Sequence, residues 1–144
     1  MSLLVLSPRE ASIFACVTDT VVAPESVLPA VRNTTAVASF DRWLWHSPRL
    51  NRAGLRALLF VAELAPLLLG FRARLRALAP HQRAAALRRA ESSGPAAVRG
   101  LVKIVKSLSF LTYYGDDAVM RRLGYDADAN VRRGRELRAR EGRP

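Results

Sequence analysis

Apolar residues recur at helical spacing through most of the chain, and cap signals divide the pattern into segments. Ser7-Pro8-Arg9-Glu10 reads as a helix start: a serine cap, a proline at the first helical position, and a glutamate three residues after the serine. Ile13, Phe14, Val17 and Val21 then share a face, which predicts a helix from Pro8 to about Val22. Pro24 and Pro29 bracket an irregular stretch through Thr34. A second helix is expected from about Thr35 to Trp45, with Val37, Phe40, Trp43 and Leu44 on one side.

Ser47-Pro48 repeats the cap-then-proline signal and opens a third helix, apolar nearly all round. That character marks it as the central helix of a bundle, kinked or split at Pro66. A short basic turn or helix follows from Arg72 to Leu78, then a helix from Pro80 to about Glu91. Ser92-Ser93-Gly94-Pro95 is the clearest break. The next helix, Ala96 to about Tyr114, carries Val98, Leu101, Val102, Val105, Leu108 and Leu111 on one face, and Arg99, Lys103 and Lys106 on the other. Gly115 stops it. Asp116 caps a short helix from Asp117 to Leu123, and Gly124 ends that one. The expected fold is all-α: a single-domain bundle of five to seven helices around a central apolar helix. Residues 1–129 form the helical domain, and residues 130–144 an Arg-rich tail that is a solvated helix or disordered.

Composition agrees with helices. Ala, Leu and Arg dominate, and half of the 144 residues are apolar. The net charge of +11 is unevenly placed. Residues 1–70 hold 6 basic and 5 acidic groups, while residues 71–144 hold 17 and 7. The second half therefore attracts anions, whether nucleic acid, a membrane surface or an acidic protein face. The longest uncharged run in the most apolar stretch, Leu64 to Phe71, is far too short to span a bilayer. Met1 to Leu6 is too short for a signal sequence and lacks both a basic stretch and a twin-Arg pair, so a cytoplasmic location is expected.

Candidate chemistry is sparse. His46 and His81 stand on different segments without neighbouring ligands, and Cys16 is the single cysteine. Nucleotide and phosphate loops are not signalled. The expectation is a chain with no catalytic residue, no metal site and no cofactor of its own. Aromatic residues carry more information. Trp43 and Trp45, two positions apart, cannot both face inward, so one is expected in the core and the other exposed or against a partner. Tyr113, Tyr114 and Tyr125 cluster around Asp116 and Leu123-Gly124, and amphipathic rings suit interfaces as well as cores. Trp43, Trp45, Tyr113, Tyr114, Asp116, Leu123, Gly124 and Tyr125 are the partner-binding candidates. Arg132, Arg133, Arg135, Arg138, Arg140 and Arg143 make an electrostatic tail without a readable nucleic-acid module.

Three passages together resemble one family. Leu6-Ser7-Pro8-Arg9-Glu10 leads to Thr18-Asp19-Thr20-Val21-Val22-Ala23-Pro24. Phe71-Arg72 leads through Leu78-Ala79-Pro80 into an Arg-rich helix. Tyr113-Tyr114-Gly115-Asp116-Asp117 is followed by Leu123-Gly124-Tyr125. In this order they resemble gluconate 2-dehydrogenase subunit 3-like proteins, small helical subunits of glucose–methanol–choline type flavin oxidoreductases. The resemblance implies a non-catalytic accessory subunit that binds and stabilises a larger flavin-dependent subunit, with FAD on that partner. The alternative is a basic helical protein that binds nucleic acid or an anionic surface.

Overall fold

The structure is a computed structural model that describes residues 3–23, 27–93 and 95–142. Pro24, Gly94 of the expected break, and Arg143 and Pro144 of the tail lie outside the described residues. Among those described, the chain is all-helical: α1 (Pro8–Val22), α2 (Ala36–His46), α3 (Arg49–Leu68), α4 (Pro80–Ser93), α5 (Ala96–Tyr114), α6 (Asp117–Arg122) and α7 (Ala127–Arg140), in one compact bundle. Single 3-10 turns occur at Val31–Asn33 and Leu75–Ala77, the second inside the basic stretch expected to turn.

Local chemistry explains most of the boundaries. Ser7 accepts from the Glu10 backbone N–H while the Glu10 carboxylate accepts from that of Ser7, which completes the capping box of α1. Asp116 caps α6 by accepting from Ala118 and Val119. Ser47 differs from expectation. Its hydroxyl donates to the Trp43 carbonyl and closes α2, so Pro48, not Ser47, occupies the cap position of α3. Nor does Pro66 break α3. It sits in the last turn, where few backbone bonds remain to be lost, and the helix runs through it to Leu68.

Two helices end alike. After α3, Gly70 has φ +85°, its N–H donates to Leu67 O, and the Phe71 N–H reaches back to Pro66 O. After α6, Gly124 has φ +77°, its N–H donates to Arg121 O, and the Tyr125 N–H reaches Met120 O. Both are Schellman closures, in which glycine supplies the left-handed residue. Both are written Leu-Gly-aromatic: Leu69-Gly70-Phe71 and Leu123-Gly124-Tyr125.

The apolar helix at the centre is α5, packed against α1, α2, α3 and α4. Sequence patterning gave that place to the third helix, but α3 lies outside. Leu50 and Leu68 are 84% and 71% exposed. Apolar residues all round a helix show only that several faces favour burial, not which of them the chain itself covers. The buried line of α5 is Val98, Val102, Val105, Ser109 and Tyr113, a regular helical spacing. Leu111, expected on that face, is 72% exposed. The main core joins Ile13, Phe14 and Val17 of α1 with Phe40 and Leu44 of α2, Leu59 and Ala62 of α3, Leu87 of α4, and α5. Phe14 and Phe40 stack at 4.1 Å between centroids.

Four carboxylates are buried with these side chains, and each has partners. Glu10 forms a two-pronged pair with Arg56 at 2.7 and 3.1 Å. Glu63 accepts from the Arg76 side chain at 3.1 Å and from its backbone N–H at 3.3 Å. Asp41 accepts three backbone N–H groups, from Leu4, Val5 and Leu6, and so ties the start of the chain to α2. Asp116 bonds Thr35 as well as α6. No buried side-chain polar atom among the described residues lacks a partner.

Candidate partner-binding surface

The eight sequence candidates fall into three places. Tyr113 and Asp116 point inward. Tyr113 is fully buried, its hydroxyl donates to Pro29 O at 2.7 Å, and it packs with Val31, Ala36 and Val119 in a second small core. Burial, with the neighbouring Tyr114, Asp116 and Asp19, raises its pKa above the ordinary value. Burial also pushes the Asp116 carboxyl up. The hydrogen bonds from Thr35, Val119 and Ala118 outweigh that and hold it below the usual range. Both side chains are spent on the fold and present nothing to a partner.

Leu123, Gly124 and Tyr125 form the closure of α6 and are exposed. Tyr125 borders a polar cleft of about 400 Å³ with Asp117, Met120, Arg121, Asp126 and Asp128 at the α6–α7 corner. Tyr114 lies elsewhere. It is partly exposed on α5, stacked on Phe110 at 6.1 Å and edge-on to Tyr113 at 5.2 Å.

Neither tryptophan is in the core, contrary to the expectation that one would be. Trp43 is 49% and Trp45 51% exposed. Phe40 and Leu44, one turn apart, take the inward positions of α2, and the tryptophans flank Leu44 on either side. Trp43 leans on Phe40 with centroids 6.4 Å apart. Trp45 carries the Arg52 guanidinium over its ring at 5.7 Å, while Arg52 also donates to the carbonyls of Leu44, Trp45 and Ser47.

Trp43 also forms one wall of an apolar groove of about 430 Å³ between α2, α3 and α5. Leu50, Gly54, Leu55 and Leu58 line it from α3, and Leu101 and Ile104 from α5. Beyond Ile104 the outer face of α5 continues through Ser107 and Leu111 to Tyr114, where an open depression of about 600 Å³ includes Phe110. Positions 104, 107, 111 and 114 lie on successive turns of one face, so the groove and the Tyr114 patch are parts of one apolar strip. Sequence reasoning missed Leu50, Ile104 and Phe110 as surface residues. The available signal was the excess of apolar positions on the Arg49–Leu68 and Ala96–Tyr114 helices over what one buried face needs.

The remaining reactive groups offer little chemistry. Burial raises the Cys16 thiol pKa; the Arg83 charge opposes it most but does not cancel it, and Glu63 and Asp19 add to the rise, so Cys16 is a poor thiolate near neutrality. Among the described residues, no three His, Cys, Asp or Glu side chains converge on a possible metal site. No described helix is long and apolar enough to cross a membrane. The α7 helix carries Arg132, Arg133, Arg135, Arg138 and Arg140, all exposed. No protein-family model, no curated protein and no solved structure matches the chain.

Proposed function

We propose that this chain is a non-catalytic accessory subunit, acting in the cytoplasm, that binds and stabilises a larger flavin-dependent oxidoreductase subunit holding the FAD. The observation that carries the binding role is the apolar strip from Trp43 through Ile104 and Leu111 to Tyr114, laid over a core whose buried carboxylates are already paired. Aromatic anchors beside an apolar groove are the usual centre of a protein interface. The class of partner rests on the sequence resemblance alone. Binding to the folded form stabilises both subunits by mass action.

Affinity capture from the native host tests it. A large yellow flavoprotein should copurify with the tagged chain, and Trp43→Ala combined with Leu111→Glu should release it. Capture of no flavoprotein under gentle conditions refutes the reading. The exposed arginines of α7 favour one second reading, a binder of nucleic acid or another polyanion. It requires affinity for duplex DNA or RNA that falls steeply with added salt, and a flat salt response removes it.

A further inference from the structure

The two tryptophans look out on different surfaces. Trp43 borders the apolar groove, whereas Trp45 stands on the opposite flank of α2 and does not line it. A series of contacts runs outward from Trp45. Asp41, one turn earlier on the same side of α2, holds the Leu4 N–H. The Arg52 guanidinium of α3 lies over the Trp45 ring. Arg56, one turn further along α3, clamps Glu10 of α1. Phe60, a turn beyond that, lies under the Arg9 guanidinium at 5.5 Å. Leu4, Trp45 and Phe60 thus fall on one face, built by the start of the chain with α1, α2 and α3. Leu4 is 52% exposed, much like Trp45, and Phe60 is half-buried.

The open charge on this face has one sign. Its carboxylates, Glu10 and Asp41, are buried and bonded. Arg42 lies three residues before Trp45, and Arg49 three before Arg52. With Arg9, they are exposed and pair with no carboxylate among the described residues. The backbone acceptors at the end of α2 are filled as well. The carbonyls of Trp43, Leu44, Trp45 and Ser47 accept from Ser47 or Arg52. An approaching anion therefore meets cations and apolar side chains, with neither a free carboxylate nor one of these carbonyls to repel it.

We propose that this face rests on an anionic lipid bilayer, with Leu4 and Trp45 at headgroup depth and the arginines among the lipid phosphates. Tryptophan suits that depth, because its body is apolar and its edge polar. Exposed cations draw a protein to an anionic leaflet. Two features favour a bilayer over other anionic surfaces. Nucleic acid is held on open aromatic faces where bases stack, and here the chain's own guanidiniums already cover ring faces of Trp45 and Phe60. A protein partner seats its anchors in pockets, and none of the clefts described above is lined by Leu4, Trp45 or Phe60. A bilayer needs neither. It takes up apolar groups wherever they project and responds to the density of charge. The contact is peripheral and reversible, since no described helix spans a membrane. It does not rest on the flavoprotein reading, and it leaves the groove free for that partner.

Vesicles test it, with Trp43 and Trp45 as reporters, since the chain has no other tryptophan. The full chain should co-sediment with vesicles of equal parts phosphatidylglycerol and phosphatidylcholine but not with phosphatidylcholine alone, and binding should weaken as salt rises. Brominated lipid should quench the Trp43→Phe variant, whose remaining tryptophan is Trp45, several-fold more than the Trp45→Phe variant. Arg42→Glu combined with Arg49→Glu should weaken binding by about tenfold or more, at an unchanged thermal midpoint because both side chains are exposed. Trp43→Ala combined with Leu111→Glu should bind vesicles as the parent does while releasing the flavoprotein, so either reading can fail without the other. Absence of binding to the mixed vesicles at low salt overturns the proposal, as does equal binding to phosphatidylcholine. Stronger quenching of Trp43 than of Trp45 overturns it too. So does vesicle binding that Arg132→Glu with Arg135→Glu abolishes and the Arg42 and Arg49 pair leaves intact, which gives the membrane to α7. A chain that ignores vesicles but loses flavoprotein capture or duplex DNA through the Arg42 and Arg49 pair gives the face to a protein or to nucleic acid, and overturns it as well.

Discussion

One oxygen of Asp116 accepts both the backbone N–H and the hydroxyl of Thr35, each at 2.7 Å, across 81 residues of sequence. Its other oxygen caps α6. A single buried carboxylate therefore fastens the start of α2 to the start of α6. Replacing Asp116 by Ala removes a cap and strands buried donors, and should cost about 2–4 kcal/mol. Urea denaturation of the two proteins measures it.

Acid should loosen the same contact. The Asp116 and Glu10 carboxyls both lie below their ordinary values of 3.8 and 4.5 in the folded chain. For Glu10, burial pulls upward, and the hydrogen bonds from Arg56 and Ser7 more than offset it. The unfolded chain thus binds protons more readily, so stability is full above the ordinary values and is lost as pH falls through the lowered ones. Thermal midpoints from pH 7 to pH 3 should drop in the acid range. Asp116→Asn should lie lower at neutral pH and show a shallower acid slope.

Thr18 and Ser109 share a hydrogen bond of 3.1 Å inside the α1–α5 contact, where both side chains are buried. Thr18→Val alone, or Ser109→Ala alone, leaves one hydroxyl stranded and should cost about 1–3 kcal/mol. The double variant should cost less than the sum, because no unpaired group remains. Additive losses in a double-mutant cycle would contradict this.

Gly70→Ala and Gly124→Ala should each destabilise by about 1–2 kcal/mol, since both positions need positive φ. Their Cβ atoms would meet nothing within 4 Å, so the cost is conformational rather than steric contact with other elements. Gly134→Ala, in an exposed helix without positive φ, should instead stabilise slightly. Chemical denaturation of the three variants separates the two effects.

What the sequence made legible was chiefly local. The Ser7–Glu10 box and the Asp116 cap are written within four residues, so their patterns are visible without a fold. The partners of Asp41, Glu63 and Thr35 lie 13 to 81 residues away or on the backbone, and no spacing announces them. Apolar density predicted helices well. It could not tell α3 from α5 as the central one, because density does not record whether a face is covered by the chain itself. For the same reason the spacing left Tyr113 open between core and interface, where the structure buries it, and Leu111, expected in the core, is exposed.

The matching ends of α3 and α6 bear on kinship. Leu69-Gly70-Phe71 and Leu123-Gly124-Tyr125 arose at two places in one chain because each stops a helix and turns it back between apolar flanks. A triplet that the same physics selects twice in 144 residues records a reversal of direction. Shared descent has to be argued from residues that no helix end would choose.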